Sequence, residues 1–203
     1  MSIATYAELR TAVENWLDHT LFSARVPEFI ALFEAAANRR LRVRQQEASS
    51  ALTPSSGTVA LPADYLAWRR VTWAGSPRVE LQYVHPSYLQ AAYPSSPADV
   101  PRIFTIEGST LKVRPVDGAA LEFDYFQKIP ALSSSADSGT NWLLAAHPDL
   151  YLFGALVEAE MFGVNDERAP VWKARRDEIF DEIEKLSNKT RGAGAIRVTG
   201  VTP

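Results

Sequence analysis

Residues 148–162, PDLYLFGALVEAEMF, constrain the fold more than any other stretch of the chain. As a helix they place Leu150, Leu152, Phe153, Leu156, Val157, Met161 and Phe162 on every side and leave almost no polar face in the first half, so the helix needs neighbours all round it. Pro148 suits a first helical position and Asp149 a first turn, through a pre-set φ and the positive end of the helix dipole. The apolar part is bracketed by Asp149 and Glu158, well short of the roughly 20 residues that span a bilayer. The helix is expected at the centre of a compact three- or four-helix domain, with adjacent copies of the chain covering the remainder of its surface.

Its partners are readable at both ends of the chain. Thr5 and Glu8 have capping-box spacing, and Leu9, Val13, Trp16 and Leu17 then form one stripe of a first helix ending near Asp18. Pro27 opens a second helix whose apolar period, Phe29, Ile30, Leu32, Phe33, Ala36, Ala37 and Leu41, carries it to about Gln46. A last helix is expected over about 167–188, capped by Asp166, with Trp172, Arg175, Ile179, Ile183 and Leu186 along one face.

Between these ends the texture changes. From Ser49 onward Ser, Pro and Gly separate short β-like runs, expected at 51–53, 58–61, 69–74, 78–84, 102–107, 109–114 and 120–127. AGSP and EGS join two pairs of them into hairpins. PADYLAW and HPSYLQAAY read as single helical turns or short helices, and 129–142 as a polar loop. The predicted fold is α+β: a helical bundle formed by N- and C-terminal helices around an inserted antiparallel β-rich region. Residues 1–47 and 142–188 make a discontinuous helical domain, 48–141 the insert, and 189–203 a Gly-containing tail, disordered unless something holds it.

Composition narrows the chemistry. The 46% hydrophobic content supplies a core. With no cysteine, disulfides, thiolate metal sites and Cys nucleophiles are excluded. A net charge of −3 gives no global basic field for nucleic acid, so any DNA contact is local. The N-terminus lacks the basic start and apolar run of a secretory signal, and the protein is expected to be made and used inside the cell. His19, His85 and His147 are scattered without metal-ligand spacing, so no metal or cofactor is expected. His147, Pro148 and Asp149 have residue types of acid–base chemistry but sit where a helix begins. Neither a phosphate-binding Gly loop nor a Gly-x-Ser-x-Gly elbow occurs. Carboxylate pairing in three dimensions stays open with 24 Asp and Glu, which leaves an enzyme without a motif to support it.

Two charge clusters remain. Arg39, Arg40, Arg42 and Arg44 end the second helix, and Asp177, Glu178, Asp181, Glu182 and Glu184 crowd the last. They read as two solvated faces, as complementary surfaces on neighbouring subunits, or, for the arginines, as a phosphate contact.

The strings LPADYLAWRRVTW, PRIFTIEGSTLKVRPV, LEFDYFQKIPAL and DERAPVWKARRDEIFDEI, and above all TNWLLAAHPDLYLFGALVEAE, resemble tailed-bacteriophage head-to-tail adaptor (connector) proteins of the tail tubular protein A type. The resemblance spans about residues 1–188, and its most specific part is Asn141 to Leu156. It implies a non-enzymatic virion structural protein at the head–tail junction, made in the host cytoplasm. Its partners would be further copies of itself in a ring, expected to be dodecameric, the portal protein, and a tail nozzle or tail tube protein. Double-stranded DNA would pass through without sequence-specific binding, and no membrane is involved. In such proteins a helical body makes the ring contacts, a β-rich region faces the tail, and the C-terminal segment inserts against the portal. On this reading Arg39, Arg40, Arg42 and Arg44 meet Asp177, Asp181 and Glu184 of a neighbouring subunit, and Arg191, Ile196, Arg197 and Val198 dock on the portal. The alternatives are a small phage-encoded hydrolase using a carboxylate pair, and an oligomeric binding module with no phage role.

Overall fold

The computed structural model describes residues 3–17, 20–95, 98–163 and 167–191. The expected helix end at Asp18, His19, the expected cap Asp166, and Ile196, Arg197 and Val198 lie outside them. The chain is mixed helix and sheet and divides into two compact units, one made of the residues up to Gln45 and from Ile129 onward, the other of Gln46–Lys128.

The first unit is helical. Helix α1, Tyr6–Leu17, starts as its capping box requires: Glu8 N–H donates to Thr5 Oγ1 (3.3 Å) and Thr5 N–H to Glu8 Oε2 (3.2 Å). Its Leu9, Val13 and Leu17 are buried, whereas Trp16 sits at the edge of the stripe, 45% exposed. Helix α2, Val26–Arg40, ends well before the expected Gln46, although the apolar spacing runs on through Leu41. Leu41 turns extended at ψ 134°, and the last carbonyls find donors there: Leu41 N–H reaches Ala37 O, and Arg42 Nη1 reaches Asn38 O at 2.7 Å. Leu41 and Val43 then continue into the core without helical turns.

Helix α5, Pro148–Phe162, occupies the predicted span, and a short helix α4, Trp142–Ala146, precedes it with Asn141 as N-cap. Helix α6 runs Ala169–Arg191, so residues 189–191 are helix rather than tail. Its buried line passes through Phe180, Ile183 and Ser187; Arg175 and Leu186, expected on that face, are exposed. Buried side chains of α1, α2, α4, α5 and α6 form one apolar cluster. Gly154 is what lets α5 and α2 approach: a Cβ there would lie 2.0 Å from a ring carbon of Phe33.

The second unit holds helix α3, Pro86–Ala92, and eight strands: β1 Glu47–Leu52, β2 Thr58–Ala60, β3 Tyr65–Trp73, β4 Val79–Glu80, β5 Gln82–Tyr83, β6 Ile103–Glu107, β7 Thr110–Arg114 and β8 Leu121–Gln127. They form two four-stranded sheets, β1-β8-β3-β4 and β2-β7-β6-β5, antiparallel except for the β5–β6 pair. Leu52, Val71, Leu121 and Phe123 of one sheet and Phe104, Leu111 and Val113 of the other share a single core.

Several expectations are corrected here. PADYLAW does not form a helical turn: after a turn in which Tyr65 N–H bonds Pro62 O, it enters β3, whose Tyr65 and Trp68 suit a half-buried sheet. The run 78–84 is not one strand, because buried Leu81 divides it between the two sheets. β1 begins at Glu47, ahead of the strand expected at 51–53, since pairing with β8 supplies the backbone bonds its sequence does not advertise. The hairpin around Gly108, φ +60°, and the helix at 86–92 occur as expected.

Candidate functional site

Of the four clustered arginines, the fold brings one to the carboxylates of α6, and does so within a single chain. Arg40 Nε lies 2.9 Å from Glu184 Oε1 and Nη1 3.4 Å from Asp177 Oδ1, while Nη2 pairs with Asp181. The guanidinium also sits 4.6 Å from the Phe180 ring centroid. Asp177, Asp181 and Glu184 recur at helical spacing on one face, so a single planar cation at the end of α2 bridges two turns of α6. Arg42 is occupied as the C-terminal cap of α2, and Arg39 and Arg44 are exposed. Arg176 also reaches Asp177, at 2.9 Å. Arg191 is the last residue of α6.

A second polar constellation, not expected from the sequence, lies inside the helical unit. Glu34 on α2 is 8% exposed. Its Oε1 accepts from Leu132 N–H (2.9 Å) and from the Tyr151 hydroxyl (3.3 Å). The Tyr151 oxygen in turn accepts from Asn141 Nδ2 (2.7 Å), which also donates to Pro130 O (2.8 Å), and Asn141 Oδ1 takes the Leu144 N–H (2.9 Å) as the α4 cap. One turn along α2, Asn38 Oδ1 accepts from Ile129 N–H at 2.8 Å. Burial pushes the Glu34 carboxyl above the usual range, against the two donors, which favour its ionised form. Tyr151 is pushed far up, by burial first and then by the charge of Glu34. The signal for Glu34 was present: it interrupts the buried stripe Ile30, Phe33, Ala37, Leu41, and a carboxylate in that position requires partners.

The surfaces are of two kinds. On the helical unit Trp16 meets Phe153 and Trp172 edge-on, with Phe153 and Trp172 stacked at 5.7 Å, beside a groove of about 670 Å³ lined by Ile3, Trp16, Pro148, Leu152 and Phe153 among others. Met161 and Phe162 at the end of α5 are 65% and 52% exposed. On the β unit, Arg70 and Asp124, opposite each other on β3 and β8, form an ion pair, and Arg69–Glu47 and Arg78–Glu122 are further ion pairs on or beside the β1-β8-β3-β4 sheet. Trp68 and Tyr83, both exposed, stack at 5.5 Å over Phe104.

The histidines cap. His85 Nδ1 accepts from Ser87 N–H at the start of α3, and His147 joins α4 to α5. Among the described residues no group of three His, Asp or Glu could hold a metal ion, and no helix is long and apolar enough to cross a membrane.

These features define a two-unit α+β protein whose polar side chains tie elements together and whose outer surfaces offer aromatic and charged contacts. The model of the SU10 adaptor protein family matches residues 4–199, and the chain belongs to that family of phage head–tail adaptors. No curated protein matches the chain.

Proposed function

We propose that the protein is a structural component of the virion that assembles as a dodecameric ring between portal and tail and lines the passage taken by DNA. The observation that carries this reading is the family match over residues 4–199. The terminal helices form the bundle that makes the ring body, and the β unit faces the tail nozzle or tail tube. The protein works through contacts and performs no catalysis.

Within the ring, exposed Arg39 and Arg44 meet the acidic row of a neighbour's α6, including Asp181, whose side chain keeps 53% of its surface open while paired with Arg40. Arg40 and Arg42 contribute by holding the end of α2 in place. Met161 and Phe162 supply apolar surface that a neighbouring subunit covers, completing the burial of α5. Arg191, Ile196, Arg197 and Val198 dock on the portal. The net charge of −3 suits a channel through which DNA slides without being held.

Native mass spectrometry tests this reading. The protein is recorded alone and then with the portal ring of its own virus. Monomer alone and a dodecamer bound to each portal are expected; failure to bind the portal overturns the proposal.

A further inference from the structure

Residues 129–141 bring the chain back into the helical unit, and they are fastened there by polar contacts as well as by buried Ile129 and Leu132. Ser133–Ser138 are exposed, and in this segment Ile129, Leu132, Gly139 and Asn141 are buried. Ile129 N–H is held by Asn38, Leu132 N–H by Glu34, and Pro130 O by Asn141. Gly139 O accepts from Tyr6 N–H (2.8 Å), and Asp137 pairs with Arg10 at 3.1 Å. Midway, Ala136 takes φ +50° and ψ −141°, a conformation that L-residues rarely adopt. A segment whose middle, Ser133–Ser138, is exposed and strained at Ala136, and which puts only Ile129 and Leu132 into the apolar core, belongs to the low-stability end of a fold.

We propose that residues 129–141 form a releasable strap whose catch is the Glu34 carboxyl, and that the charge on this carboxyl sets how readily the strap lifts. Closed, the strap lies over Glu34 and shares its Oε1 with Tyr151. Lifting lets water reach the carboxyl and uncovers Leu132 and Ile129. Because burial raises the closed-state pKa of Glu34, opening that hydrates it is coupled to loss of one proton, and it becomes easier as pH rises. Tyr151 from α5 and Tyr6 from α1 also face this site. Burial holds both phenols above their usual value, so they stay protonated across the range concerned. Arg10 and Asp137 face Tyr6.

Hydrogen exchange of backbone amides, followed by NMR on the full chain at a series of pH values, tests the strap. The Leu132 amide reports it, and the Phe180 amide in α6 reports global opening. After correction for intrinsic exchange, the opening constant at Leu132 should rise above pH 4.5 by up to about tenfold per pH unit and level off once the folded carboxyl is ionised. It should be level in Glu34→Gln, and in the unsubstituted protein it should exceed the opening constant at Phe180, which follows global stability; equal constants at the two amides overturn the proposal. A level profile in the unsubstituted protein, or an equal slope in Glu34→Gln, overturns the proposal. Asp137→Asn, a change on the exposed outer side of the strap, must retain the slope, and its loss there overturns the proposal even if Glu34→Gln does not fold.

Discussion

Glu34 shows how one side chain can fasten a loop while weakening the fold at neutral pH. Its carboxyl titrates higher in the folded chain than in the unfolded one, so the folded state holds the proton more tightly. The stability this contributes is complete below the ordinary glutamate value of 4.5 and is lost as pH rises through the folded value. Glu34→Gln keeps an oxygen for Leu132 N–H and Tyr151 O–H but carries no charge. Its unfolding free energy in urea should therefore equal or exceed that of the unsubstituted protein at neutral pH and lose this fall above pH 4.5; a variant weaker at neutral than at acid pH would contradict the account. Tyr151→Phe removes one donor from Glu34 and one acceptor from Asn141, and should lower stability by about 1–2 kcal/mol in the same assay.

At the scale of elements, the decisive contact is that of α5 with α2. Gly154→Ala would set a methyl group against the Phe33 ring, where the nearest carbon lies 2.0 Å from the new Cβ. Overpacking of this kind costs about 1–3 kcal/mol and outweighs the gain of up to about 1 kcal/mol in helix propensity. A lower Tm is expected, and Phe33→Leu in the Gly154→Ala background should recover part of the loss, because the ring is the obstacle. The span of α5 was readable because Pro148, Asp149 and the apolar run are all local signals. The end of α2 was not, since the apolar period continues through Leu41 and the stop is made by the side chain of Arg42 reaching back to Asn38 O. Strands β1 and β5 were obscured because their pairing partners, β8 and β6, are distant in sequence, and β4 because the run 78–84 passes from one sheet to the other at Leu81. The charge clusters were legible as clusters, whereas the partner chosen by each arginine depends on how α2 and α6 pack.

At the scale of the whole molecule, that partnering separates two roles which the sequence presents as one. Arg40 binds three carboxylates of its own α6 and stacks on Phe180, so reversing its charge places a carboxylate among carboxylates and should loosen the subunit itself. Arg39 and Arg44 are exposed, and reversing them should leave the subunit's circular dichroism and Tm unchanged. If these two arginines face the acidic row of an adjacent subunit, the double variant Arg39→Glu, Arg44→Glu should bind the portal with fewer copies per ring. The defect should appear mainly as slower association at low salt, since exposed charges steer encounter more than they hold a complex. Arg40→Glu, by contrast, should lower Tm before any ring is formed. Native mass spectra of portal mixtures, read beside melting curves of the free subunits, distinguish the two roles. Full rings from the double variant at low salt would remove Arg39 and Arg44 from the interface, while the intrachain role of Arg40 would stand.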